Sequence, residues 1–345
     1  MKSKPPVCCT VPTHVLLRLA QALDPGVSRR ALDALGFSAR ARALRAELAT
    51  LPPLLTAPSP NGGRYREVYD VRHGSPHALP GRLVRSERER PVRDRSVNDA
   101  YVNAGHTYAF YRTVFGRNSL DGHGMVLRSS VHLSRALNNA FWDGSQMVYG
   151  DGDGEIFVHL TRPLEVVAHE LTHGVIAHTS GLVYRGEAGA LNESFADVMG
   201  SLVKQWRHRQ PARRADWIIG RQMMGPAVRA RALRTLTGRK AFEGDPMLGT
   251  DPQPKHYRDR IRVPDPDLAA HLNSGIPNHA FYLVATRLGG HAWTRAGAIW
   301  YEAMTTLPSR SSFATAVGHT VAIARRRFGS RVAAVVSGAW RDVGL

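Results

Sequence analysis

The sequence predicts an α+β protein: an α/β half is followed by an all-helical half, and a short helical extension stands in front. Three observations predict it. Between about residues 65 and 160, short strand-like runs surround one long amphipathic segment. From residue 163 onward the apolar spacing is that of helices. Residues 13–49 are also helical in pattern, and "LPPLLTAPSPNGG", rich in Pro, Gly and Ser, separates them from the rest as a linker.

Taken in order, "HVLLRLAQAL" and "RRALDALGFSARARALRAELA" carry leucine and alanine at helical intervals. "REVYDVRHG" and "RLVRSERERPVRD" suggest short strands, and "VNDAYVNAGHTYAFYRTVFG" a helix with one aromatic and aliphatic face. "MVLRSSVHLS", "NAFWDGSQMVYGDGDG" and "EIFVHL" read as strands and turns. Helices are expected over 163–180, 190–206, 276–288, 293–306, 312–327 and 330–340, with 208–275 irregular and no internal repeat.

Composition excludes several classes. No apolar run approaches the ~20 residues that span a bilayer, and no Sec-type signal peptide is visible at the N-terminus. The only cysteines are the adjacent Cys8 and Cys9, so no disulfide framework is expected. The formal net charge is +18, yet the excess is arginine spread along the whole chain, with no aromatic-interleaved patch. A general arginine bias explains it better than a specific nucleic-acid partner.

The stretch that carries chemistry is "VVAHELTHGV". In a helix of 3.6 residues per turn, His169 and His173 project from one face, with Glu170 beside it. Pro163 suits the helix's first turn, Thr161 is placed to cap it, and Gly181 ends it. Twenty residues after His173, "GALNESFADVMGSLV" is helical again, with Glu193 and Asp197 four apart. Glu193 would complete a two-His, one-Glu set that leaves a fourth position open, as in catalytic rather than structural zinc sites. Asp197 could accept the outer N–H of a ligand histidine.

At this point the chain resembles the thermolysin family of zinc metallopeptidases. "NNAFWDGSQMVYGDGDG", "HELTHGV", "GLVYRGEAGALNESFADVMG" and "HLNSGIPNHAFYL" look like that family's segments in its order, over about residues 65–345. The resemblance implies a β-rich α/β domain (57–181), a helical domain (182–345) and a zinc cleft between them. It implies that His169, His173 and Glu193 hold one Zn2+, that Asp197 orients His169, and that Glu170 is the general base acting on zinc-bound water. His271 and Tyr184 match the donors to the transition-state oxyanion. Arg234 matches the arginine that holds a substrate carbonyl, and Asn139 and Ala140 the groups that bind substrate backbone. Phe157, Leu160, Val166, Ile219 and Leu233 match the pocket for the residue after the cleaved bond. All five are apolar, which implies a neutral endopeptidase cutting before bulky hydrophobic residues.

Two departures stand out. Pro266 occupies the place where the family carries an aspartate that orients His271, with Asp265 and Asp267 on either side. The family's paired calcium site looks incomplete: Glu165 matches one carboxylate, but Lys204 stands where another would be, and a Lys204–Glu165 ion pair could replace the metal charge. The opening "CCTVPTHVLLRLA" resembles members with a short propeptide. Residues 1–56 are therefore expected to cover the cleft of a zymogen until cut in or near the linker, acting as its own inhibitor, with contact between zinc and Cys8 or Cys9 the less expected arrangement. The implied partners are peptide or protein substrates, with no specific nucleic acid and no membrane span, for a monomer. Exported relatives imply secretion, with cytoplasmic retention the alternative. Two competing readings are a salt-sensitive binder of acidic partners and a pseudoprotease that keeps zinc; the intact Glu170 and Tyr184 argue against the second.

Overall fold

The computed structural model describes residues 9–48 and 58–345. Most of the linker, with the expected 56/57 boundary, lies outside them, as does Cys8. Two N-terminal helices, α1 (Thr13–Leu19) and α2 (Pro25–Leu48), come first. Then follow β1 (Arg66–Asp70), β2 (Arg82–Ser86), α3 (Arg95–Phe115), β3 (Leu127–Val131), β4 (Ala140–Trp142) and β5 (Met147–Tyr149). The strands form one mixed sheet in the order β2-β1-β3-β5-β4, with β1, β3 and β5 parallel to one another and β2 and β4 antiparallel to their neighbours. Helix α3 begins where Asp94 accepts the amide of Val97 at 3.2 Å and ends at Gly116, whose φ of 70° suits a residue without Cβ.

The helical half contains α4 (Leu164–Ala177), α5 (Gly186–Arg207), a two-stranded ribbon of β6 (Ile218–Ile219) and β7 (Arg234–Thr235), then α6 (Pro266–Asn273), α7 (Gly275–Leu288), α8 (Arg295–Thr306), α9 (Phe313–Phe328) and α10 (Ser330–Asp342). The α+β class is as predicted. Helix α4 is buried over Leu164–Ile176, and α5 packs along it. A Cβ on Gly200 would lie 2.4 Å from the carbonyl oxygen of Glu165, so the absence of a side chain sets how closely these helices approach. Gly200→Ala is expected to cost about 1–3 kcal/mol through overpacking. A thermal melt should show this as a drop of several degrees.

Three local expectations are corrected. Residues 155–160 form no strand, because Asp153 Oδ1 accepts the amides of Glu155, Ile156 and Phe157 at 2.8–3.2 Å and holds them in a turn. Pro163 is the N-cap of α4 rather than a first-turn residue, and Thr161 does not cap it. Helix α6 lies in the stretch expected to be irregular; Asp265 Oδ1 accepts the amide of Leu268 at 3.1 Å, before a proline at the first helical position.

His132 joins the end of β3 to the start of α3. It contacts Asp151 at 2.7 Å and Asp94 at 2.8 Å. The hydrogen bond to Asp151 raises its pKa to about 9, against the opposing effect of burial. A raised histidine pKa contributes stability that is complete below the unfolded value near 6.5 and is lost as pH rises through about 9. His132→Gln is expected to flatten the fall of melting temperature across that window.

Candidate active site

The site lies where α4, α5 and α6 meet the edge strand β4. His169 and His173 present their Nε2 atoms 3.1 Å apart. Glu193, from α5, brings Oε2 to 3.6 Å from His169 Nε2 and Oε1 to 3.6 Å from His173 Nε2. Asp197 Oδ1 lies 2.8 Å from His169 Nδ1, and Asn192 Oδ1 lies 2.8 Å from His173 Nδ1. Asn192 spends its amide on the carbonyl of Leu182, so its oxygen must accept, and this fixes the proton of His173 on Nδ1. Its Nε2 is then a lone pair aimed at the same point as two other donors.

The three donor atoms all lie within 4.8 Å of one another and are buried. Tetrahedral bonds of about 2.0–2.2 Å place ligand atoms roughly 3.3–3.6 Å apart, so this set fits one zinc ion. The fit follows from helical spacing, and each histidine has the outer partner that ligand imidazoles require.

Around this centre, burial pushes the Glu170 carboxyl up to about 7. Its Oε2 accepts the backbone amide of Trp142 at 3.2 Å. Tyr184 donates to Glu193 at 2.6 Å and lies 3.2 Å from His271 Nε2. Arg234 is buried and clasps Asp197 through Nε and Nη2 at 2.8–2.9 Å. Burial alone would raise the Asp197 pKa, but Arg234 and His169 hold it well below the usual carboxylate range. Asn278 is a third partner, donating to Asp197 Oδ2 at 2.9 Å.

The groove beside these groups is filled by the chain's own residues 9–11. Cys9 pairs antiparallel with Phe141, and the amide of Thr10 donates to the carbonyl of Ala140 at 2.9 Å. The amide of Val11 donates to Asn139 Oδ1 at 3.2 Å. Arg234 Nη1 donates to the carbonyl of Thr10 at 3.3 Å, and His271 Nε2 lies 3.2 Å from that of Cys9. Thr10 Oγ1 donates to Glu170 Oε1 at 2.5 Å. The thiol of Cys9 donates to Ser38 Oγ at 3.2 Å.

Every residue expected in the core of the site is therefore gathered in one place: His169, His173, Glu193, Glu170, Asp197, Tyr184, His271, Arg234, Asn139 and Ala140. Phe157, Leu160, Val166, Ile219 and Leu233 are all buried in the main apolar cluster. Asp265 caps α6, and the side chain of Asp267 lies outside the described residues. The Lys204–Glu165 ion pair forms, at 3.7 Å. Sequence reasoning missed Asn192, Asn278 and Trp142. The two asparagines were visible as polar residues in apolar helical runs, whereas Trp142 acts through its backbone and left no signal.

Residues 60–177 match the family profile of the thermolysin metallopeptidase catalytic domain, and residues 180–345 that of the thermolysin metallopeptidase alpha-helical domain. An extracellular metalloprotease of Pectobacterium carotovorum is 42% identical over 288 residues, 83% of this chain and 82% of that protein. Protease PrtS of Photorhabdus is 41% identical over 81% of this chain and 76% of its own length. The solved precursor of protealysin, a metalloproteinase from Serratia proteamaculans, superposes with a TM-score of 0.87 at 41% identity, covering 98% of this chain and 99% of that one. Profiles over both halves, relatives matched over most of their length, and a donor set fitted to one zinc ion agree: the chain belongs to the thermolysin family of zinc metallopeptidases.

Proposed function

We propose that this metallopeptidase is an endopeptidase cutting before bulky hydrophobic residues, made as a zymogen whose first residues fill its own substrate groove. The observation that carries the reading is the placement of residues 9–11. Their backbone is held by Asn139, Ala140, Arg234 and His271, as a substrate strand added to the edge of β4 would be. On this reading residues 1–56 are the covering segment, and 57–181 and 182–345 the two peptidase domains.

In the active form a substrate replaces residues 9–11. Asn139 and Ala140 fix its backbone, and Arg234 takes the carbonyl that Thr10 now offers. His169, His173 and Glu193 would hold zinc, which when bound would supply a Lewis acid for the scissile carbonyl and for water. Glu170 accepts the proton of the attacking water and passes it to the leaving nitrogen as the C–N bond breaks. His271 and Tyr184 donate to the carbonyl oxygen as it gains negative charge. The carbonyl of Cys9 already sits at His271, as the scissile carbonyl would.

Specificity follows from the wall beside the site. Val166 lies one turn before Glu170 on α4, Ile219 pairs with Arg234 across the β6–β7 ribbon, and Leu233 immediately precedes Arg234. With Phe157 and Leu160 these would make an apolar pocket. The test is a series of peptides differing only after the cleaved bond. Leu and Phe should be cut well above Gly or Asp; equal rates across the series would remove the pocket assignment. We also read the enzyme as monomeric and secreted, in keeping with its extracellular relative.

Thr10 connects the covering segment to the chemistry, because its hydroxyl occupies the Glu170 oxygen that a water must reach. Thr10→Ala removes a buried hydrogen bond to the Glu170 carboxyl, worth about 0.5–1.5 kcal/mol. It is expected to speed the loss of the N-terminal segment severalfold in an intact-mass time course.

A further inference from the structure

A cavity of about 440 Å³ opens at the N-terminal end of α4, bounded by α3, the end of α5 and the turn after β6. Its cationic side chains are Arg162, Lys204, Arg207 and Arg221, joined by the imidazoles of His106 and His208. Two carboxylates also line it, and both are engaged. Lys204 Nζ lies 2.8 Å from Asp216 and 3.7 Å from Glu165, and Glu165 Oε1 accepts the amide of Gly220 at 3.1 Å. Lys204 is thereby committed, its Nζ also donating to the carbonyl of Ile218 at 2.6 Å.

The arginines are not. Among the described residues, Arg162 and Arg221 have no side-chain hydrogen bond or ion pair, and the Nε of Arg162 is buried without a partner. Arg207 uses only its Nε, on His106 at 3.2 Å. His106 reports the local field: burial lowers its pKa first, and Arg207, Arg66, Arg64 and His208 lower it further. Three guanidinium groups lining one cavity of ligand size, none with its terminal nitrogens hydrogen-bonded, are suited to a tetrahedral oxyanion, which accepts paired N–H bonds from planar forks.

We propose that this cavity binds a small oxyanion of the phosphate class, with Arg162, Arg207 and Arg221 as its donors. The occupant would tie α3 and the end of α5 to the first turn of the helix that carries His169 and His173. It would therefore stabilise the frame of the metal site without entering the groove.

The test uses the zinc-loaded full chain, titrated calorimetrically with inorganic phosphate and, in a second arm, with glycerol 3-phosphate. Sodium chloride at matched ionic strength is the control. One saturable site per chain and a melting temperature raised by several degrees are expected. The tighter arm tells a free ion from a phosphomonoester. Arg207→Gln and Arg221→Gln, both at exposed positions, should each weaken binding about tenfold while melting cooperatively without ligand. Absence of a saturable site in both arms, or binding left intact by both substitutions, overturns the proposal.

Discussion

Glu170→Gln is expected to lower kcat by roughly 10²- to 10⁴-fold, the range for loss of a general base, while leaving zinc bound at one ion per chain. The amide keeps the size of the carboxylate and can still accept the Trp142 amide, but it cannot take a proton from water at neutral pH. It also sits one residue from His169 without belonging to the donor set, so metal content separates lost chemistry from lost site. Intact-mass spectrometry of wild type and variant over time adds a second readout. Wild type should lose its N-terminal residues up to the linker at 51–63, and the variant should stay whole. If both lose the segment at the same rate, Glu170 is not the base of self-processing; if both stay whole and peptides also survive, the pseudoprotease reading takes over.

How much of this was legible depends on how local each signal is. The donor set was readable because α4 and α5 each put two functional residues on one face, and a 3.6-residue repeat survives any tertiary context that keeps the helix. Helix α6 was missed for a local reason. It has only eight residues, too few for apolar periodicity, and it follows the charged, proline-broken run "RDRIRVPD". Its signal was instead the Asp265–Pro266 pair, an N-cap before an N-terminal proline. The apolar run "EIFVHL" misled in the opposite direction: Ile156, Phe157 and Leu160 are buried as expected, but Asp153 captures the amides that a strand would have offered to a ladder.

Non-local pairings left no trace in the chain. Thr10 and Glu170 meet across 160 residues, and nothing near either announces the other. The N-terminal segment could be expected to cover the cleft only through resemblance. Its register against β4 is a property of the sheet edge: β4 is short, at the rim, and offers unpaired backbone to any extended segment. The same openness that lets the covering segment dock lets a substrate replace it.

Asp197→Ala is expected to damage both the metal site and the fold, for two separable reasons. The carboxylate receives His169 Nδ1 at 2.8 Å, so its removal frees the imidazole to turn and should weaken zinc about 10- to 100-fold. It is also the partner of Arg234 on three contacts of 2.8–2.9 Å in a fully buried setting. Stripping one member from such a pair leaves an uncompensated buried charge, at a cost of about 3–5 kcal/mol. Asp197→Asn divides the two effects, since its side-chain oxygen can still accept from His169 but carries no charge against Arg234. Zinc affinity should therefore recover most of the way in the asparagine variant, while the melting temperature stays low. Equal zinc loss in both variants would mean that the charge of Asp197, rather than its orientation of the imidazole, holds the metal. A normal melting temperature in the alanine variant would mean that Arg234 finds another partner, and Asn278, already within 2.9 Å of the lost carboxylate, is the side chain placed to supply one through its oxygen.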